Sequence, residues 1–238
     1  MESTADMPVS DWFKSPLGAR VLREEAALAM RALDTVFGFE LLQVGAWGPS
    51  HHLLEGARTQ HATLLAPEIA PGVTLCAPLD TLPFKSDSID AILLPHTLEL
   101  VQDPYAVLRE AERVLTGEGC LMICGFNPFS GWGARRVFGR YFRRPEFPPG
   151  TQRMLSERRL RDWVALLGFD VDSVHGYLGF LPLKGGAADV QARRALTSGG
   201  YLLKARKRVS TLTLIRPRRR VRQRVLVGAA EPTHKVRP

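Results

Sequence analysis

The chain of 238 residues is 45% hydrophobic and 24% charged. That is a globular balance, which excludes wholesale disorder and collagen-like repeats and supplies a core that needs no disulfide staples. The net charge of +8 is concentrated at one end: residues 216–238 carry eight basic side chains and one acidic one, against 24 and 23 in the rest.

No apolar run approaches the roughly 18 residues of a transmembrane helix. The opening MESTADMPVSDWF lacks the basic-then-apolar pattern of a leader. Cys76, Cys120 and Cys124 have no metal-ligand spacing, and an odd count fits a reducing compartment. A cytoplasmic protein without a bound metal is therefore expected.

In chain order, Ser15-Pro16 reads as a helix start, with Ser as cap and Pro at the first helical position. Leu17, Val21, Leu22, Leu28, Ala29, Leu33 and Val36 continue at helical spacing to Gly38. Phe39–Gly45 reads as a buried strand, 49–56 as a helical turn, and Thr63–Ala66 and Val73–Cys76 as two further strands. Ile89–Leu94 is the fourth. Asp103-Pro104 opens a helix whose face carries Val107, Leu108, Ala111, Val114 and Leu115, with Gly117 past its end. Cys120–Cys124 is the fifth strand. Ser156 caps a helix with Leu160, Trp163, Val164 and Leu167, closed by Gly168. Phe169–Val174 follows as a strand, and Tyr201–Lys207 with Ser210–Ile215 as a final one.

Strands alternating with helices, each strand continuously apolar, predict an α/β fold: a mostly parallel, doubly wound sheet with helices on both faces. The expected organisation is an N-terminal helical segment (1–38), one α/β domain (39–215) and a basic tail (216–238). Within the domain, 127–151 is rich in Gly, Pro, aromatics and Arg and reads as an insertion. Its core, Gly131–Arg144, has five arginines among Trp132, Phe138, Tyr141 and Phe142. A lid over a pocket is the expectation there; contact with nucleic acid or an anionic surface is the alternative. The arginine-rich tail suits weak binding to nucleic acid or anionic lipid.

In open α/β sheets, ligands bind at the carboxyl ends of the strands, where strand order reverses. The first strand ends in Gly45-Ala46-Trp47-Gly48, where glycines allow close backbone approach. Glu68 lies just after the second strand, the usual place for a carboxylate that accepts hydrogen bonds from a ribose. A nicotinamide-dependent oxidoreductase on a related fold is one reading of these two features, although no full GxGxxG is present.

The stretch from Leu79 to Gly119 is more specific. Leu82-Pro83-Phe84, Ser88-Ile89-Asp90, His96-Thr97-Leu98-Glu99, Asp103-Pro104, Leu108-Arg109-Glu110, Arg113-Val114-Leu115, Gly117 and Gly119 follow one another. This order and spacing resembles the class I S-adenosylmethionine-dependent methyltransferases, in their small type 11 subgroup. The general resemblance runs from about Phe39 to Ile215, with Asn127-Pro128 also matching.

The resemblance implies a Rossmann-like, seven-stranded sheet with the last strand antiparallel, and S-adenosylmethionine as cofactor. Gly45, Trp47 and Gly48 would face its methionine part, Glu68 the ribose, and Leu79 and Asp80 the adenine. Ile92–His96 would floor the reaction centre, with Pro95 against the cofactor and His96 as candidate general base. The acceptor would be a small molecule, the first choice, or a macromolecule. The chain departs from the family at four places. Gln43 replaces the acid near the end of the first strand, and Trp47 the middle glycine of the turn. Asp80 stands in for an acid near Pro78. Ala66-Pro67 occupies the place of the ribose-binding acid, with Glu68 displaced. A non-catalytic relative that has lost cofactor binding is the alternative these raise. His96 and Glu99, three apart, can pair on a helical turn. His51-His52 reads as exposed helix-start residues rather than a metal site.

Overall fold

The computed structural model describes residues 9–49, 51–131, 133–134, 151, 153–179 and 198–208. Most of the expected lid, the expected strand at 210–215 and the tail at 216–238 lie outside the described residues.

The first elements are α1 (Val9–Trp12) and α2 (Pro16–Leu33). The Ser15 hydroxyl accepts from Gly18 N at 3.0 Å and Pro16 opens the helix, as the sequence predicts. Gly18 lets α1 and α2 meet: a Cβ there would stand 2.3 Å from the Trp12 carbonyl oxygen. The helix stops at Leu33, short of the predicted Gly38, because the chain turns at 34–35 and enters a strand at Phe37.

The strands are β1 (Phe37–Val44), β2 (Arg58–Ala66), β3 (Leu75–Cys76), β4 (Ile89–Pro95), β5 (Leu115–Phe126), β6 (Phe169–Gly179) and β7 (Ser198–Lys207). They form one seven-stranded sheet in the order β3-β2-β1-β4-β5-β7-β6. β7 is antiparallel to both its neighbours, and the other pairings are parallel. This is the doubly wound, mostly parallel sheet expected from the sequence, and the reversal of order between β1 and β4 is its switch point.

Helices cover both faces. α4 (Pro104–Val114) and α5 (Glu157–Leu166) cover one, packing Val107, Leu108, Leu160 and Val164 on Leu42, Ile92, Leu121 and Leu203. Both are capped as predicted. Asp103 accepts from Tyr105 N and Ala106 N, and Ser156 from Arg159 N. α2 covers the other face, with Val21, Leu28, Ala29 and Leu33 against Leu41, Leu93 and Met122. Between Val44 and Arg58 the described residues form turns at 51–56 and no helix, so α2 covers the sheet where a crossover helix would lie. Short α3 (Thr97–Leu100) follows β4 directly.

Candidate functional site

The switch point places Gly45 and the end of β4 side by side. Gly45 has φ +101°, a left-handed value open to glycine. Its N–H donates to the Leu65 carbonyl at 2.7 Å, tying the turn to β2. The Thr97 hydroxyl donates to the Val44 carbonyl from the α3 side. A Cβ on Gly45 would lie 2.7 Å from that hydroxyl oxygen. Gly48 also has positive φ, +79°. Gln43 donates from Nε2 to the Gly45 carbonyl at 3.0 Å, while its buried Oε1 has no hydrogen-bond partner among the described residues.

Trp47 turns inward. It is 1% exposed, and its indole Nε1 donates to Glu25 Oε2 at 2.7 Å. Its ring lies 4.2 Å, centroid to centroid, from that of His96, and Phe13 meets it edge-on at 4.9 Å. Phe126 packs on His96 at 4.1 Å. The bulky residue in the glycine turn is thus a core side chain that anchors the turn to α2.

His96 follows β4 and caps α3, with φ +55°, and is 1% exposed. Its Nδ1 is 2.6 Å from Glu99 Oε2, its Nε2 is 2.6 Å from Glu25 Oε1, and the Tyr177 hydroxyl is 2.9 Å from Nε2. Burial alone would lower the His96 pKa, but Glu25 and Glu99 outweigh it and raise it to about 9. The Tyr177 phenol and Cys124 thiol are both pushed well up, by burial first and then by these carboxylates. Among the described residues no group of His, Cys, Asp and Glu is arranged to hold a metal ion.

The other residues expected at the site lie at the same edge of the sheet. Pro95 is buried at the end of β4, and Glu68 is exposed just after β2. Leu79, half-buried, and Asp80, exposed, follow β3. The loop that carries these two is held by α4. Arg113 donates to the carbonyls of Leu82 at 2.9 Å and Phe84 at 3.0 Å, and Glu110 accepts from Leu82 N at 2.9 Å. His52, expected to be exposed, is half-buried with its Cε1 against Gly48, and burial lowers its pKa.

Glu25 is the central residue that sequence reasoning missed. A signal was available: it falls between Val21 and Leu28-Ala29 on the apolar stripe of α2, and it is fully buried. Tyr177 was missed for lack of one, since its place depends on Gly200, whose Cβ would stand 2.4 Å from the phenol ring.

Comparisons with known proteins agree with this geometry. Residues 31–123, from the end of α2 through β5, match the family model described as a methyltransferase domain. The uncharacterized protein YafS of Escherichia coli (strain K12) is 34% identical over 179 residues, 75% of this chain and 72% of that protein. Demethylmenaquinone methyltransferase of Mycolicibacterium paratuberculosis is 30% identical over 120 residues, half of each chain. In fold, the chain is similar to an S-adenosylmethionine-dependent methyltransferase of Mesorhizobium loti, with a TM-score of 0.53 at 15% identity over 77% of this chain and 98% of that one. The glycine turn at the switch point, the seven-stranded order and these matches lead to one conclusion: the chain belongs to the class I S-adenosylmethionine-dependent methyltransferases, in the type 11 subgroup.

Proposed function

We propose that the chain transfers the methyl group of S-adenosylmethionine to a small-molecule acceptor. The observation that carries this reading is the Gly45 turn. Its positive φ and the Thr97 hydroxyl bar a side chain, and beside it Gln43 Oε1 is a buried acceptor without a donor among the described residues. Leaving such an atom unpaired costs about 1–3 kcal/mol, and the ammonium at the methionine end of the donor would satisfy it. These residues fit the cofactor.

The cofactor supplies a sulfonium that already activates its methyl group, so the chain's task is to bind and orient. Backbone groups of Gly45–Gly48 would hold the methionine part, with Trp47 acting through its backbone. Glu68 would accept from ribose hydroxyls, and Leu79 and Asp80 would flank the adenine. Pro95 and His96 floor the centre. Both nitrogens of His96 face carboxylates, so we assign it to holding that floor rather than to taking a proton from the acceptor. The mycobacterial relative, named for a small-molecule acceptor, supports that acceptor class.

The test is a calorimetric titration and thermal shift with S-adenosylhomocysteine, with NAD(H) as control. A ligand that binds only the native state raises the melting temperature by mass action. S-adenosylhomocysteine is expected to do so and NAD(H) is not. Gly45→Val is expected to fold and to lose this binding. No heat and no protection of the wild-type chain at about millimolar ligand favours the non-catalytic alternative.

A further inference from the structure

His96 lies between two carboxylates. A neutral imidazole has one N–H and offers its other nitrogen as an acceptor, which an ionised carboxylate cannot serve. Both 2.6 Å contacts are satisfied when both ring nitrogens carry protons.

The groups facing the ring come from every element around it. Glu25 comes from α2, Glu99 from α3 and the Tyr177 hydroxyl from β6. Trp47 and Phe126 lie against the ring itself. The Cys124 thiol of β5 and His52 beside the glycine turn sit within the field of the carboxylates. The remaining carboxylate oxygens are also served. Glu25 Oε2 accepts from Trp47 Nε1 at 2.7 Å, and Glu99 Oε1 accepts from Phe126 N at 2.8 Å. A buried ion array is tolerable when each charged oxygen has a hydrogen-bond donor in this way.

The array also joins α2, α3, β6 and the glycine turn through charged and hydrogen-bonding side chains. One carboxylate, Glu25, touches both the end of β4 and the residue that anchors the glycine turn. Next to it on α2, Glu24 Oε2 accepts from Leu178 N at 2.7 Å. Leu178, like His96, is a non-glycine residue in the left-handed region, with φ +58°. Such conformations persist where surrounding contacts over-determine them, and they cluster at functional sites.

Resting on the methyltransferase reading, we propose that Glu25 is a positioning residue for the donor site: its two oxygens hold the His96 imidazolium and the Trp47 indole, and so fix the Gly45–Gly48 turn against α2. Glu25 need not touch the donor. Loss of the proton from His96 would leave two buried carboxylates around a neutral ring and loosen the same turn.

The experiment uses the full chain and has two arms. In the first, 15N NMR of the histidine rings follows His96 without ligand. Both nitrogens are expected to be protonated at neutral pH and to release a proton near 9. A ring that is neutral at neutral pH overturns the ionised array. In the second, affinity for S-adenosylhomocysteine is measured by calorimetry across the same pH range for wild type and Glu25→Gln. Wild-type affinity is expected to fall as His96 deprotonates. Glu25→Gln is expected to bind about tenfold more weakly at neutral pH, with the fall moved to lower pH. A folded Glu25→Gln chain with wild-type affinity and pH profile overturns the proposal. Should that variant fail to fold, Trp47→Phe removes the Nε1 donor together with one ring of the indole, while an aromatic ring stays beside His96. It is expected to weaken binding several-fold while His96 titrates as before, and unchanged affinity overturns the proposal. A wild-type chain that binds no ligand overturns the methyltransferase reading itself, an outcome distinct from a variant that binds as well as wild type.

Discussion

His96 and His52 set the pH dependence of the folded chain from opposite sides. In His96, burial works against the charged form, and Glu25 and Glu99 overcome it, so its pKa rises from 6.5 to about 9. Between those values the native ring keeps a proton that the unfolded chain gives up. Stability from this group is therefore complete below about 6.5 and is lost as pH rises through about 9. In His52, burial lowers the pKa, so below about 6.5 the unfolded chain takes up a proton that the native ring resists, and stability falls toward acid. Melting temperature is thus expected to peak near pH 6.5 and to decline by several degrees toward pH 9.5, as scanning calorimetry can establish. A flat or rising curve over that upper window contradicts the array. The places of Gly45, Trp47 and His96 at strand ends were legible in the sequence because glycine at a strand end, and a ring after it, are local signals. The partner that unites them was not, because a carboxylate on an apolar stripe gains its meaning only when another element brings donors to it.

At the scale of elements, the type 11 pattern turns out to be largely bracing. Arg113 binds Glu110 at 2.8–2.9 Å through two nitrogens and reaches the carbonyls of Leu82 and Phe84. The Arg-Glu pair therefore splints the loop after β3 to α4. Arg113→Ala is expected to cost about 1–3 kcal/mol in denaturant unfolding and to weaken S-adenosylhomocysteine binding several-fold, since Leu79 and Asp80 lie on that loop. Arg113→Lys should rescue little, because an ammonium cannot make the forked contact. Full stability of the alanine variant would mean the loop holds itself. Helix starts were readable to the residue at Ser15, Asp103 and Ser156, where a side-chain oxygen does the capping. Strand lengths were not. β2 begins at Arg58 rather than Thr63, because its first residues are exposed and polar and are extended only by pairing with β1, Phe37 against Arg58. β5 begins at Leu115 rather than Cys120, directly from α4, and runs across Gly117, which the sequence places past the end of that helix.

For the molecule as a whole, the charge is divided between a nearly neutral body and an arginine-rich end. Six of the eight basic residues after Ile215 fall within Arg216–Arg224, with Pro217 and Val221 as the apolar interruptions. A basic segment gains affinity for polyanions by counterion release, whatever their sequence. Deleting residues 216–238 is expected to leave the melting temperature and S-adenosylhomocysteine affinity unchanged, and to abolish any binding to RNA or anionic vesicles that fades steeply with salt. Unfolding or loss of ligand affinity on truncation would place those residues inside the domain. The reversal of β7 decides where such a segment is attached. Arg208 N donates to the Gly168 carbonyl at the start of β6, and Lys207 reaches the Leu115 carbonyl at the start of β5. The chain therefore leaves β7 at the rim of the sheet opposite Gly45 and His96. A reporter, affinity handle or surface tether joined directly after Arg208 would start from that far rim, leaving the glycine-turn side free to be presented to solution on a chip or bead.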